Sequence, residues 1–412
     1  MAGGPFLRFG IVGLGFAAVS TVPAILRHPR LSIVAAADTD PIALERFRAR
    51  FGIPGAYGQI EELCANPTVD AVYIATPTTL HAEQAILAAH HGKHLIVEKP
   101  LAVSLAEADR LIAAVERHGV QLVVGHSQSF EPPVLAMRAL VRGGELGRMR
   151  MISSWCFTDW LYRPRRPDEL NESVGGGVVY RQGAHQLDII RLMGGGLVRS
   201  VRATTGAWDR GRPGIGSYAA HLEFADGAAA TAVYSGYDGF QTTELTGIDE
   251  AGELVQSVRS GQSRRAVREA GPAADEMALK RARGFAGASL ASTPALEARP
   301  DRGESPTGTA PPTRHQAHFG LTVVSCERGD IRQSPDGLLV YDERGRRELP
   351  LPPDIDGRDL LVQELYDAVA LGVRPLHDGR WAKATLEVSL AIMASARERR
   401  EILLEHQVPL AD

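Results

Sequence analysis

The sequence predicts an α/β protein of two domains: a Rossmann domain with a doubly wound parallel sheet over residues 1–126, and an α+β domain with a large, mostly antiparallel open sheet over residues 127–412. Three observations carry this expectation. Short apolar strands alternate with helical patterns early in the chain, strands of alternating polarity dominate later, and 412 residues exceed what one ordinary core organises.

The run "LRFGIVGLG" reads as a strand because it is short, apolar and closed by glycines, and "AVSTVPAILRH" follows as a helix. "LSIVAAAD" with "PIALERFRARFG", then "DAVYIAT" with "HAEQAILAAHHG", repeat the pair. "HLIVEKP", the helix "SLAEADRLIAAVERHG" and the strand "VQLVVGH" complete the series. After "GGELGRM" the period changes to two, in "RMRMISSWCF", "SVRATTGAW", "SYAAHLEFADGAAATAVYSG", "HFGLTVVSC" and "GLLVYDERGRRELPL". These segments predict one antiparallel sheet, with "VVYRQGAHQLDIIRLMGG" packed on it as a single helix. Residues 260–316 are basic and poorly patterned, then rich in Pro, Gly, Ser and Thr, which predicts a flexible insertion. Two helices, through "LLVQELYDAVALG" and "AKATLEVSLAIMASARERREILLEH", close the chain.

Composition narrows the function. With 44% hydrophobic and 23% charged residues and a formal net charge of -4, nothing in the charge balance favours nucleic acid, so the expected partner is a small molecule. Three widely spaced cysteines, Cys64, Cys156 and Cys326, suggest neither a disulfide framework nor a metal site. The opening "MAGGPFLRFG" lacks a basic region and a long apolar core, and no apolar run is long enough to span a bilayer, so a cytoplasmic protein is expected.

The cofactor motif is "GIVGLGFAA", where Gly13, Gly15, Phe16 and Ala17 lie between a strand and a helix. Small residues there let the backbone turn tightly and approach a pyrophosphate at the helix N-terminus. Asp38 closes the next strand, where a carboxylate bonds the adenosine ribose hydroxyls and repels a 2′-phosphate, so NAD is expected over NADP. The alternative, a glycine-rich turn with a capping aspartate, is disfavoured by the βαβ setting.

Three further stretches stand out: "ATPTTLH" and "EKP", each at a strand end, and "GGGVVYRQGAHQLD", which sets Arg181, His185 and Asp188 at helical spacing on one face. Just before the last lies "WLYRPRRPDELNES", with Trp160, Tyr162, Arg163, Arg165 and Arg166. Together these motifs resemble the glucose–fructose oxidoreductase, inositol dehydrogenase and rhizopine catabolism family, written Gfo/Idh/MocA, over most of the chain apart from the insertion. The resemblance implies that Lys99 contacts both the nicotinamide ribose and the reacting oxygen, where an ammonium stabilises alkoxide-like charge. Thr76, Pro77, His81 and Glu98 are implied beside the cofactor, with a cis bond before Pro100. A lysine merely exposed and paired with Glu98 is the blander reading of Lys99.

His185 is implied to take the proton of the substrate hydroxyl, and Asp188 to orient it, contact substrate or cap a network. The family generally carries aspartate where Arg181 stands, so the local charge is reversed and an anionic substrate is expected, gripped by a guanidinium. Arg163, Arg165 and Trp160 are further candidates for substrate contact, although such a charge run equally describes a solvated loop or subunit contact. Gln128 and Ser129 stand where relatives often have arginine, which leaves the contacts of that turn open. Within the family, "SWCFTDWLYRPRRPDELNESVGGGVVYRQGAHQLDIIRLMGG" is similar to the branch acting on phthalate cis-dihydrodiols, implying a cyclic secondary alcohol bearing carboxylates. A sugar, sugar-acid or inositol dehydrogenase and a non-catalytic NAD sensor are the alternatives. A homo-oligomer formed through the carboxy-terminal sheet is also expected.

Overall fold

The computed structural model describes residues 4–246, 261–271, 275–287, 320–352 and 356–410. The chain divides into two compact units, of which the first comprises residues 1–126, 275–301 and 358–383 and the second the remainder. Among the described residues no helix is long and apolar enough to cross a membrane.

In the first unit, β1 (Leu7–Val12), β2 (Leu31–Ala37), β3 (Gly55–Tyr57), β4 (Ala71–Ile74), β5 (His94–Glu98) and β6 (Leu122–Gly125) form a six-stranded sheet in the order β3-β2-β1-β4-β5-β6. Every pairing is parallel. Covered on both faces, its strands are continuous apolar runs, and Phe9, Ile11, Val72, Ile74, Leu95, Ile96 and Val97 are completely buried. The strand order reverses between β1 and β4, which opens a crevice at their carboxyl ends. The helices α1 (Phe16–Arg27), α2 (Pro41–Phe51), α3 (Ile60–Ala65), α4 (Thr78–His90) and α5 (Leu105–His118) make the crossovers. Asp40 caps α2 by accepting from the amides of Ile42 and Ala43, and Ser104 caps α5.

The second unit holds β7 (Met149–Phe157), β8 (Val198–Gly206), β9 (Ser217–Phe224), β10 (Ala229–Ser235), β11 (Leu321–Cys326), β12 (Gly329–Ser334), β13 (Gly337–Asp342), β14 (Gly345–Pro350) and β15 (Ile402–Leu403). They make one nine-stranded sheet, β14-β13-β12-β11-β7-β10-β9-β8-β15, antiparallel except where β7 pairs with β10. A helix, Ala184–Met193, every residue of which is buried, lies on the β7–β10 face. The other face is open, with Met151 and Trp155 exposed.

The structure departs from the sequence reading at several elements. β3 and α3, too short to show a period, were not expected, and the single run "GLLVYDERGRRELPL" is the hairpin β13–β14. The expected helix "VVYRQGAHQLDIIRLMGG" begins as a π turn over Val179–Gly183, so Arg181 and His185 are not one regular α-turn apart. Residues 275–301 and 358–383 belong to the first unit, because Phe285 packs against Phe47 and Phe51 and Arg27 pairs with Asp359. Finally, parts of the expected flexible insertion are helical, over Gln262–Ala270 and Glu276–Arg281; its residues 288–316 lie outside the described ones.

Arg191 shows what holds the second unit's helix in place. Its guanidinium is completely buried and donates to Gln407 Oε1 at 2.9 Å, Thr385 Oγ1 at 2.7 Å and the Gly196 carbonyl at 3.3 Å. Burial pushes its pKa down to about 10, against the pull of Asp188. Arg191→Ala removes three donors and leaves a cavity, so urea unfolding is expected to register a loss of about 3 kcal/mol.

Candidate active site

At the end of β1 the chain turns at Gly13 with φ +87°, where a Cβ would sit 2.9 Å from the backbone of Ala75 and Thr76. Two residues on, Gly15 precedes α1 with ordinary φ of -79° and nothing within 4 Å of a Cβ position. The first turn of α1 has no side-chain cap and no acidic residue, so its N–H groups are presented to an incoming anion. Asp38 fixes this turn: its carboxylate accepts from the amide of Leu14 at 2.6 Å and of Asp40 at 2.7 Å. Phe16 is exposed beside the turn, and Ala17 accepts a hydrogen bond from Tyr73 through its carbonyl.

The loops after β4 and β5 are tied to each other. Buried His81 reaches the Thr76 carbonyl with Nε2 at 2.9 Å and the Pro100 carbonyl with Nδ1 at 2.8 Å. Glu98 accepts from the Tyr73 hydroxyl at 2.8 Å, and burial beside that carboxylate raises the Tyr73 pKa well above its usual value, keeping the phenol a donor. Thr76 donates to Gln84, Pro77 precedes α4, and half-buried Lys99 follows Glu98 with a cis bond to Pro100. This cradle fits a dinucleotide: a tight glycine turn, an uncapped helix start and a fixed carboxylate at the end of β2.

In the second unit the glycine triplet is required by close approach. At Gly176 a Cβ would lie 2.5 Å from the Asp168 carbonyl and Asn171 amide, and Gly177 has φ +80°. That approach holds the turn 168–171 against Gly176, three residues before the π turn carrying Arg181. The arginine is 14% exposed, with Nη2 3.5 Å from Asp168. Asp168 is itself gripped by Arg166, at 2.9 and 3.0 Å; burial raises its pKa, but the bonds from Arg166 and the charge of Arg181 bring the net shift below the usual carboxylate value.

Arg165 stacks over the Trp160 ring at 4.1 Å, donates to the Trp160 carbonyl and lies 3.6 Å from Glu169, and its burial pushes its pKa down to about 10. Arg163 pairs with Asp159 at 2.6 Å. His185 is buried on the helix that follows the π turn. Asp188, at 0% exposure, accepts from the hydroxyls of Ser129 and Thr385, and Trp160 is only 2% exposed; both sit inside the scaffold and present no open surface.

The amino-terminal region, residues 7–126, matches the model of an oxidoreductase family with an NAD-binding Rossmann fold, and residues 134–248 match that of the GFO/IDH/MocA C-terminal domain. A 1-carboxy-3-chloro-3,4-dihydroxycyclohexa-1,5-diene dehydrogenase of Comamonas testosteroni is 38% identical over 393 residues, covering 95% of each chain. This chain belongs to the GFO/IDH/MocA oxidoreductase family. A trans-1,2-dihydrobenzene-1,2-diol dehydrogenase of Mus musculus is 34% identical over 172 residues, 41% of this chain and 51% of that one. Among solved structures, a protein from Bordetella bronchiseptica RB50 is 42% identical with a TM-score of 0.86, covering 97% of this chain and 100% of its own. A 20% identical oxidoreductase from Agrobacterium radiobacter, solved with NAD+, L-tartaric acid and magnesium, shares the fold at a TM-score of 0.72, covering 96% and 98%.

Sequence reasoning missed the acidic partners, Asp168 and Glu169, that hold the arginines in this GFO/IDH/MocA protein; their signal was the acidic pair inside "RRPDEL". Ser129, whose contacts the sequence left open, donates to Asp188 and locks it. The two cradle glycines separate cleanly. Gly15→Ala is expected to leave stability within about 0.5 kcal/mol while weakening NADH binding at least tenfold, roughly 1.4 kcal/mol, because the added methyl stands in open space at the helix start. Gly13→Ala, which meets backbone, is expected to lower the urea midpoint as well; NADH fluorescence titration and urea unfolding check both.

Proposed function

We propose that this family member is an NAD-dependent dehydrogenase of a carboxylated cyclohexadiene diol, with phthalate 4,5-cis-dihydrodiol, oxidised to 4,5-dihydroxyphthalate, as the best substrate. The observation that carries it is Arg181, a guanidinium only 14% exposed on the π turn that leads into the His185 helix. Arg163, Arg165 and Arg166 cluster before it with Asp159, Asp168, Glu169 and Glu172. A ring carboxylate pairs with a guanidinium in a bidentate geometry that gives the substrate direction. The Comamonas relative, whose name describes a diene with one carboxyl and two hydroxyl groups, supports the same chemistry.

In this reading Lys99 stabilises the negative charge developing on the reacting oxygen, and His185 accepts the hydroxyl proton. A nicotinamide dinucleotide held by the Gly13–Gly15 turn and Asp38 would supply the acceptor for the hydride of the carbinol carbon. The dienone left behind tautomerises to the catechol, and aromatisation draws the reaction forward. Arg181 holds a ring carboxylate. Arg165 and Trp160, buried against each other, support the loop from which Arg163 and Arg181 act. Asp38 and its bound amides make the adenosine ribose pocket, which favours NAD over NADP.

Cofactor reduction across cis-dihydrodiol carboxylates, neutral cis-dihydrodiols, sugar acids and inositols is expected to be fastest with the carboxylated diols. Arg181→Ala is expected to raise KM for those substrates about tenfold or more, the range of a hydrogen bond to a charged group, with little change in kcat. His185→Ala and Lys99→Ala are each expected to lower kcat by about a hundredfold or more. Fastest turnover of a neutral polyol, with KM indifferent to Arg181, overturns this reading.

The open sheet face is proposed to be a homo-oligomer contact. Trp155 lies beside Val233 and Leu321, with Met151 on the same face. Trp155→Glu is expected to reduce the particle mass seen by light scattering to that of one chain.

A further inference from the structure

The segment 275–287 packs directly on the dinucleotide cradle of the first unit. Gly284 approaches so closely that a Cβ would lie 2.9 Å from the Leu14 carbonyl and 3.0 Å from Gly15 Cα, and the Phe285 amide donates to the Leu14 carbonyl at 2.9 Å. Phe285, almost fully buried, sets its ring edge-on to Phe47 at 4.8 Å and to Phe51 at 5.9 Å on α2. Arg46 donates to the Ala286 carbonyl. The short helix Glu276–Arg281 ends on a guanidinium that grips both oxygens of Asp40, the cap of α2.

Arg281 therefore reaches the position where a dinucleotide's adenosine ribose meets the end of β2. Asp40 donates its amide to the Asp38 carboxylate while its own carboxylate receives Arg281. The Arg281 side chain remains 52% exposed, and the charge of Asp38 also acts on it. A planar cation at that place can stack on adenine or bond a ribose hydroxyl. Its distance in sequence from the glycine motif hides it from any motif scan.

We propose that the strap 275–287 is a second wall of the dinucleotide site, and that Arg281 is the residue through which it binds the adenosine half of the cofactor. The strap extends the cofactor binding that family membership establishes. It has no part in substrate selection.

AMP and NADH titrations of the full chain, followed by calorimetry and by nicotinamide fluorescence, test it with no turnover required. Arg281→Ala changes an exposed side chain, so the fold is retained, and melting in the absence of nucleotide checks this. Expected are about tenfold weaker binding of AMP and NADH, unchanged binding of nicotinamide mononucleotide by calorimetry, and slower amide exchange over 276–287 when AMP is added to the wild type. Gly284→Val, which lifts the strap off Leu14, is expected to produce the same weakening. Unchanged AMP affinity in both variants together with unchanged exchange in the strap overturns the proposal. Equal losses for AMP and nicotinamide mononucleotide also overturn it. Wild-type chain that binds AMP and NADH normally while the variants do likewise separates failure of the strap from failure of the cofactor site itself.

Discussion

Two backbone amides close on the Asp38 carboxylate, and the dinucleotide end of the first unit depends on them. The Leu14 bond ties the turn between β1 and α1 to the end of β2; the Asp40 bond ties the start of α2 to the same atom group. Bonds to a charged acceptor contribute roughly 1.5 to 3 kcal/mol each, so this carboxylate does structural work before any cofactor arrives. It also explains the need for Gly13, since only a residue free to adopt φ +87° lets Leu14 aim its amide at β2 while the backbone passes close to Ala75. Asp40 then carries the constraint outward, capping α2 and receiving Arg281.

How much of this was legible in the sequence follows from the range over which each feature acts. The alternation of strand and helix is local, so the parallel sheet and its glycine turn could be read directly, and the antiparallel second sheet showed in its period of two. β3, three residues long, has no period to detect. The π turn at Val179–Gly183 inserts an extra residue into the helical spacing, which the polar pattern alone does not encode. Phe285 meets Phe47 across a long stretch of sequence, and no local pattern announces such a pairing; a basic, poorly patterned segment therefore read as flexible where its described parts are helical.

The polar stripe Arg181, His185 and Asp188 illustrates the same limit within one helix. Spacing predicted three side chains facing one ligand. Instead the members divide by burial: Asp188 turns into the interior, where Ser129 and Thr385 donate to it and Arg191 balances it, while Arg181 meets the acidic turn. A carboxylate with no exposed surface must be satisfied by protein donors, and the Ser129 hydroxyl supplies one. Ser129 and Asp188 are thus one unit.

Burying guanidiniums is costly unless each is paired, and the arrangement around Trp160 shows how far this chain goes to pair them. Arg166 has Asp168, Arg163 has Asp159, and Arg165 has Glu169 together with the Trp160 ring and carbonyl. Arg181 lies 3.5 Å from Asp168, and the charge of Glu169 acts on it as well. Its burial lowers its pKa, a sign that the charge is held at some expense. On the proposed reading selectivity comes from geometry: a carboxylated diol offers Arg181 a bidentate, charge-assisted acceptor, and a neutral polyol offers only single hydroxyl acceptors to the same guanidinium.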